Sequence, residues 1–115
     1  MAGHFHDART APLRPDKLSK TNLFESRRMF CDVYALAPGQ EQAGHVHADS
    51  DKVYAVVEGR CRVSVGDEAR ALGPGEVAVA PAGVGHGLLN DSGAPCRVLV
   101  FMAPHPSYTR SNDKG

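Results

Sequence analysis

Apolar and polar residues alternate in short runs along most of this chain, with a period near two and no sustained helical period. The clearest case is Cys61, Val63 and Val65 interleaved with Arg60, Arg62 and Ser64, which predicts a half-buried strand. From Asn22 to Leu36 two extended segments are expected, with Met29, Cys31, Val33 and Ala35 on one face and Phe30, Asp32, Tyr34 and Leu36 on the other. Further strands are predicted over Gln42–His47, over the β-branched and aromatic run Val53–Glu58, over the short Ala69–Leu72, and through Val77 and Val79. His86, Leu88 and Asn90 then share one face, and Cys96–Met102 reads as a buried strand without obvious alternation. Pro38-Gly39, Glu58-Gly59, Gly66-Asp67-Glu68, Gly73-Pro74-Gly75 and Asp91–Pro95 punctuate these runs as turns. Strands recurring about every 8 to 12 residues with Gly- and Pro-rich turns predict an all-β sandwich or barrel.

The ends of the chain lack this pattern. Residues 1–17, with Gly3, Pro12, Pro15 and scattered charges, are expected to form an arm whose order depends on packing and which could cross to a neighbouring subunit. The barrel is expected over 18–103, and a polar tail over 104–115.

Composition narrows the class. A chain of 115 residues is expected to be one domain with a proper core, and 42% hydrophobic with 23% charged residues is ordinary for a globular protein. Thirteen basic residues balance thirteen acidic ones, so no global field favours nucleic acid or an anionic membrane as a partner. No apolar run approaches the roughly 20 residues of a membrane span, and Asp7, Arg9 and Arg14 interrupt the N-terminus where a signal peptide would need an apolar core. A cytoplasmic location is expected. Cys31, Cys61 and Cys96 form an odd set without close spacing, which predicts buried core residues rather than a disulfide framework or a zinc knuckle.

The candidate chemistry lies in three histidines. His45 and His47 are two residues apart, so on a strand both side chains face the same side. Imidazole is the commonest protein ligand for metals, and His86 is the candidate third donor from another strand.

These residues fall into two spaced motifs that resemble those of the cupins, small β-barrels of the jelly-roll type. Gly39, His45, His47 and Gly59 match the first motif, and Gly75, Pro81, Gly83, His86 and Asn90 match every position of the second, across about residues 29–102. The resemblance implies an all-β, cupin-type jelly-roll barrel holding one divalent metal ion through His45, His47 and His86. It also implies a two-fold homodimer.

In the family the first motif supplies a glutamate as a further ligand. Here Lys52 stands at that position. A divalent ion and an ammonium about 4 Å apart repel by roughly 8 kcal/mol at an effective dielectric near 20, so a charged Lys52 and a metal cannot sit side by side. Three arrangements follow: Lys52 swings away from a three-His centre, it is deprotonated beside the metal, or it anchors an anion in a barrel without metal. Asp49 and Asp51 are candidate substitute ligands, although Asp51 should face the other way along its strand.

A three-His centre retains the full charge of its metal and should favour an anionic substrate, with Lys52 pairing with a carboxylate. Lys52 and Tyr54 are the candidate catalytic residues; Lys52, Tyr54, Val56, Leu88 and Asn90 are the candidate substrate-binding residues. Iron suits the open positions, and zinc, nickel, manganese or copper are compatible with imidazole donors. Three classes of function remain open: a dioxygenase-like enzyme on a small organic acid, a redox-neutral isomerase, lyase or decarboxylase using the metal as a Lewis acid, and a non-catalytic small-molecule-binding barrel with a degenerate or empty metal site.

Overall fold

The computed structural model describes residues 3–108 and folds them into two antiparallel sheets. In chain order the strands are β1 (Ser19–Glu25), β2 (Phe30–Leu36), β3 (Glu41–His45), β4 (Asp51–Glu58), β5 (Cys61–Val65), β6 (Glu68–Leu72), β7 (Val77–Ala80), β8 (His86–Leu89) and β9 (Cys96–Ala103). One sheet has the order β1-β2-β9-β4-β7 and the other β3-β8-β5-β6. This is an all-β jelly-roll sandwich. Among the described residues no helix is long and apolar enough to cross a membrane.

The expected alternation places the core. Lys52, Tyr54 and Val56 of β4 are buried while the residues between them are not. Tyr34 and Leu36, Tyr54 and Val56, Cys61 and Val63, and Val98 and Val100 meet between the sheets. Cys61 and Cys96 are buried there as free thiols, whereas Cys31 is only half-buried.

Strand β9 differs from its expected reading for a physical reason. Cys96, Val98, Val100 and Met102 do alternate inward, but Leu99 on the other face is apolar as well because it too is covered. The covering element is the N-terminal arm. Ala8, in a short 3-10 turn, and Ala11 pack with Leu23, Val33, Ala35 and Leu99 on the outer face of the five-stranded sheet. Arg97 Nε donates to the Ala11 carbonyl at 2.8 Å, and Gln40 Nε2 donates to that of Arg14 at 2.7 Å. Ala8, Ala11 and Arg14 of the arm thus have contacts with the rest of this chain.

Two glycines fix how strands approach one another. Gly59 turns β4 into β5 at φ +74°, and a side chain there would run into the Pro95 carbonyl and Cys96. Gly87 of β8 faces a β-bulge in β3: pairing runs Gln42 to Leu88 and then His45 to His86, so one extra residue is accommodated in β3. A Cβ on Gly87 would lie 2.9 Å from the Gln42 carbonyl oxygen and 3.2 Å from Gly44 Cα. Only glycine lets β3 lie this close.

Candidate metal centre

The bulge positions the first histidine. Gln42 and His45 are three positions apart and would face opposite sides of a regular strand, but the extra residue brings both onto the inner face. His47 lies just beyond the end of β3 and His86 opens β8. The three imidazoles converge, with one ligand nitrogen from each lying within 4.8 Å of the others. The ring centroids are 4.4 Å apart for His45 and His86 and 4.9 Å apart for His45 and His47.

Hydrogen bonds fix the tautomers of two of these rings. His45 Nδ1 lies 2.9 Å from the Ala43 carbonyl oxygen and His86 Nδ1 lies 3.1 Å from that of Val84. A carbonyl only accepts, so each Nδ1 carries the proton and each Nε2 presents a lone pair. This is the arrangement of a metal-binding histidine, whose other nitrogen is held by a backbone carbonyl. His86 Nε2 is buried and has no hydrogen-bond partner. A buried acceptor left unsatisfied costs about 1–3 kcal/mol, and a cation at the centre of the cluster would remove that cost. Metal–imidazole distances of about 2.0–2.1 Å would draw the three nitrogens closer together than the 4.8 Å within which they now lie. The residues therefore fit a divalent ion.

Electrostatics favour the neutral form of His86 and His47, the form in which imidazole is a ligand. Burial depresses the pKa of His86 to about 4; the positive potential of Lys52 and of the other two histidines acts in the same direction, against the Val84 carbonyl. His47 is lowered by burial and then by His45, Lys52 and Lys20.

Lys52 points inward and is only 1% exposed. Its Nζ lies 5.2 Å from the centroid of the Tyr54 ring and 5.5 Å from that of Tyr34, within range of cation–π attraction. Burial lowers its pKa to about 8, with Lys20 adding to the shift and Asp32 opposing it. Asp51 faces the other way along β4, as expected, and its Oδ1 accepts from the Ala82 N–H at 2.9 Å. Neither Asp51 nor Asp49 joins the triad among the described residues.

The remaining candidates separate. The Tyr54 ring centroid lies 6.0 Å from that of His86, so Tyr54 borders the triad. Val56 and Leu88 are part of the apolar core beneath it. Asn90 belongs elsewhere. Four residues beyond His86, it is roughly 13 Å farther along an extended chain, and its amide is engaged locally: Nδ2 donates to the Leu36 and Ala94 carbonyls at 2.9 and 2.8 Å, while Oδ1 accepts from Ser92 N–H and Oγ–H. These bonds pin the loop between β8 and β9.

Three residues not singled out from sequence border the site. Tyr54 Oη donates to Gln42 Oε1 at 2.8 Å. Tyr34 carries the second aromatic face beneath Lys52; burial pushes its pKa up to about 12 despite a hydrogen bond with Gln42. Asp32, inward-facing on β2, accepts from Asn22 Nδ2 at 2.8 Å. The alternation had already placed Asp32 and Tyr34 on one face; only the bulge hid Gln42.

Relatives share both the sequence and the shape. An uncharacterised protein of Streptomyces coelicolor is 40% identical over 81 residues, covering 70% of this chain and 75% of that protein. A crystal structure of a Thermus thermophilus protein is 48% identical and superposes with a TM-score of 0.86, over 90% of this chain and 100% of the other. A Klebsiella pneumoniae protein with a double-stranded β-helix domain, 25% identical, superposes with a TM-score of 0.79 over 89% of this chain and 90% of its own. The family model for the cupin domain matches residues 32–102, from the strand that bears Asp32 and Tyr34 to the end of the inward-facing run of β9, and this chain belongs to the cupin domain family.

Proposed function

We propose that this protein is a metal-dependent enzyme acting on a small anionic organic substrate at a mononuclear three-His centre, with dioxygenase-like chemistry. The observation that carries the reading is His86 Nε2, a buried lone pair without a partner inside a cluster of three imidazole donors. A divalent ion bound there would supply a Lewis-acidic centre with open coordination positions, suited as iron to oxygen chemistry. His45, His47 and His86 hold it. Lys52, where other cupins place a carboxylate, contributes a positive charge that pairs with an acidic substrate, and Tyr54, braced by Gln42, defines one side of the space beside His86.

The redox-neutral alternative rests on an observation of its own. Lys52 has a pKa near 8, which suits a group that takes up and releases a proton close to neutral pH. In an isomerase, lyase or decarboxylase Lys52 would take up and return the substrate's proton, and a divalent ion held by His45, His47 and His86 would supply Lewis acidity.

Metal analysis of protein purified without a chelating tag, followed by oxygen uptake on candidate acids, tests both readings. Iron with uptake supports the dioxygenase. Zinc or manganese without uptake supports the second reading, and metal far below one equivalent after reconstitution supports the non-catalytic binding barrel. His45→Ala, His47→Ala and His86→Ala should each lose most of the bound metal while remaining folded.

In the cell we place the protein in the cytoplasm as a homodimer. Edge strand β7 exposes Val77 and Val79, and Phe24 is exposed on β1, apolar surface at sheet edges that a second copy would cover. Light scattering near 12.2 kDa at tens of micromolar would remove the dimer.

A further inference from the structure

A second polar cluster lines the inner face of the five-stranded sheet, on the β1 side of the triad. Lys20 of β1 is paired in register with Tyr34 of β2, and Asn22 with Asp32. Lys20 Nζ lies 5.1 Å from the Tyr34 ring centroid, and Lys52 Nζ, reaching from β4, lies 5.5 Å from the same centroid. One tyrosine ring thus gathers two ammonium groups from strands that are not neighbours in the sheet.

Their surroundings leave this pair short of negative charge. Asp32 is the acidic group that acts on Lys52, and one of its oxygens is taken by Asn22 at 2.8 Å. Both ammonium groups act on Asp32, as does Glu25 farther along β1; Glu25 lies 3.8 Å from His105 Nε2, so the two lysines share Asp32 and the wall beside them is positive. Lys20 is exposed and Lys52 buried, so the pair runs from the surface inward. Both ammonium groups also act electrostatically on His47, which puts the lysine pair beside the triad.

We infer that Lys20 and Lys52 form a paired-ammonium subsite for a carboxylate on the β1 side of the triad, and that the substrate class is a short acid bearing two anionic groups. One anionic group is directed to the triad and the other to the lysine pair. A single carboxylate would leave one of these two positive regions uncompensated. Lys20 is then a specificity-determining residue: it separates diacids from monoacids without touching the metal ligands. This deepens the proposed function and rests on its anionic-substrate reading, although the lysine pair itself requires no metal.

The test compares succinate with butyrate, acids of equal length and different charge, by titration calorimetry against wild type, Lys20→Gln and Lys20→Arg, each zinc-loaded and metal-free. Wild type should prefer succinate by at least tenfold. Lys20→Gln should lose most of that preference by weakening succinate alone, Lys20→Arg should retain it, and zinc affinity should stay within about twofold throughout. Raising the salt concentration should weaken succinate more than butyrate. If the triad binds no zinc, the proposed metal centre fails, but Lys20-dependent succinate binding by metal-free protein still upholds the subsite. Equal succinate affinity in wild type and Lys20→Gln overturns it whether or not zinc binds.

Discussion

Tyr54 on β4 and Gln42 on β3 meet across the interior of the barrel, where the tyrosine hydroxyl donates to the amide oxygen at 2.8 Å. They belong to opposite sheets, so this bond, with that between Tyr34 and Gln42, ties the two walls together beside the triad. Each partner has a reason to be there: Tyr54 is fully buried and its hydroxyl needs an acceptor, and the bulge in β3 turns Gln42 inward to supply one.

Tyr54→Phe keeps the ring and removes the donor, leaving Gln42 Oε1 without this partner. The expected loss of stability is about 1–2 kcal/mol. Gln42→Leu in the Phe background should cost less than Gln42→Leu in wild type, because only the Tyr34–Gln42 hydrogen bond then remains to be lost. Denaturant melts of the two single variants and the double variant provide the check, and fully additive losses would show that the two side chains act independently.

Gly87 controls the placement of His45. A Cβ at this position would meet backbone atoms of Gln42 and Gly44, which cannot swing aside as a flexible side chain can. Gly87→Ala should push β3 outward and cost about 1–3 kcal/mol, with a fall in metal affinity because His45 moves with the strand. Gly93→Ala, where a Cβ would meet nothing within 4 Å, is the control and should change neither. Metal affinity unaltered in Gly87→Ala would show that β3 gives way without disturbing the triad.

Much of this architecture was legible from residue pattern. Period-two alternation identified most strands and assigned Phe30, Asp32, Tyr34 and Leu36 to one face, and the spacing of His45, His47 and His86 identified the triad. What escaped was set by contacts that no local pattern records. Gln42 was hidden because a bulge reverses the facing expected from simple alternation between it and His45. The continuous apolar run of β9 concealed its alternation because the N-terminal arm covers the outer face. Asn90 has the polarity of a site residue, yet its amide is used to close a loop, and only the positions of the Leu36, Ser92 and Ala94 backbone and side-chain partners reveal this.

Lys52 should make stability depend on pH in a definite direction. Its folded pKa of about 8 lies below its ordinary value of 10.5, so the unfolded chain takes up a proton at this group before the folded one does. Above pH 10.5 Lys52 is neutral in both states and burial carries no charge penalty. As the pH falls from there to about 8 the penalty grows, and below 8 it is constant, on the order of 3 kcal/mol. Lys52→Met removes the penalty, so it should stabilise the protein most near pH 7 and progressively less towards pH 10.5. Chemical denaturation of both proteins at several pH values in this window is the measurement. A stability difference independent of pH would mean that Lys52 is as well solvated in the fold as in the unfolded chain.

Lys52→Glu tests the substitution that distinguishes this site most directly. The side chain at this position points inward and shares the barrel interior with His86 and Tyr54, so a glutamate here would place a carboxylate where it can serve as a fourth ligand. Without metal the change should be destabilising, because a buried carboxylate loses its hydration, and zinc should restore stability to the variant more than to wild type. With metal, the carboxylate offsets about one unit of the ion's charge and removes the cation that pairs with substrate. Metal affinity should therefore rise by at least tenfold while affinity for a small organic acid falls. The two effects share one cause and should appear together in a single series of zinc and succinate titrations at neutral pH. Equal zinc affinity in wild type and Lys52→Glu would show that this position does not reach the triad, and the selection of acidic substrates by Lys52 would fall with it.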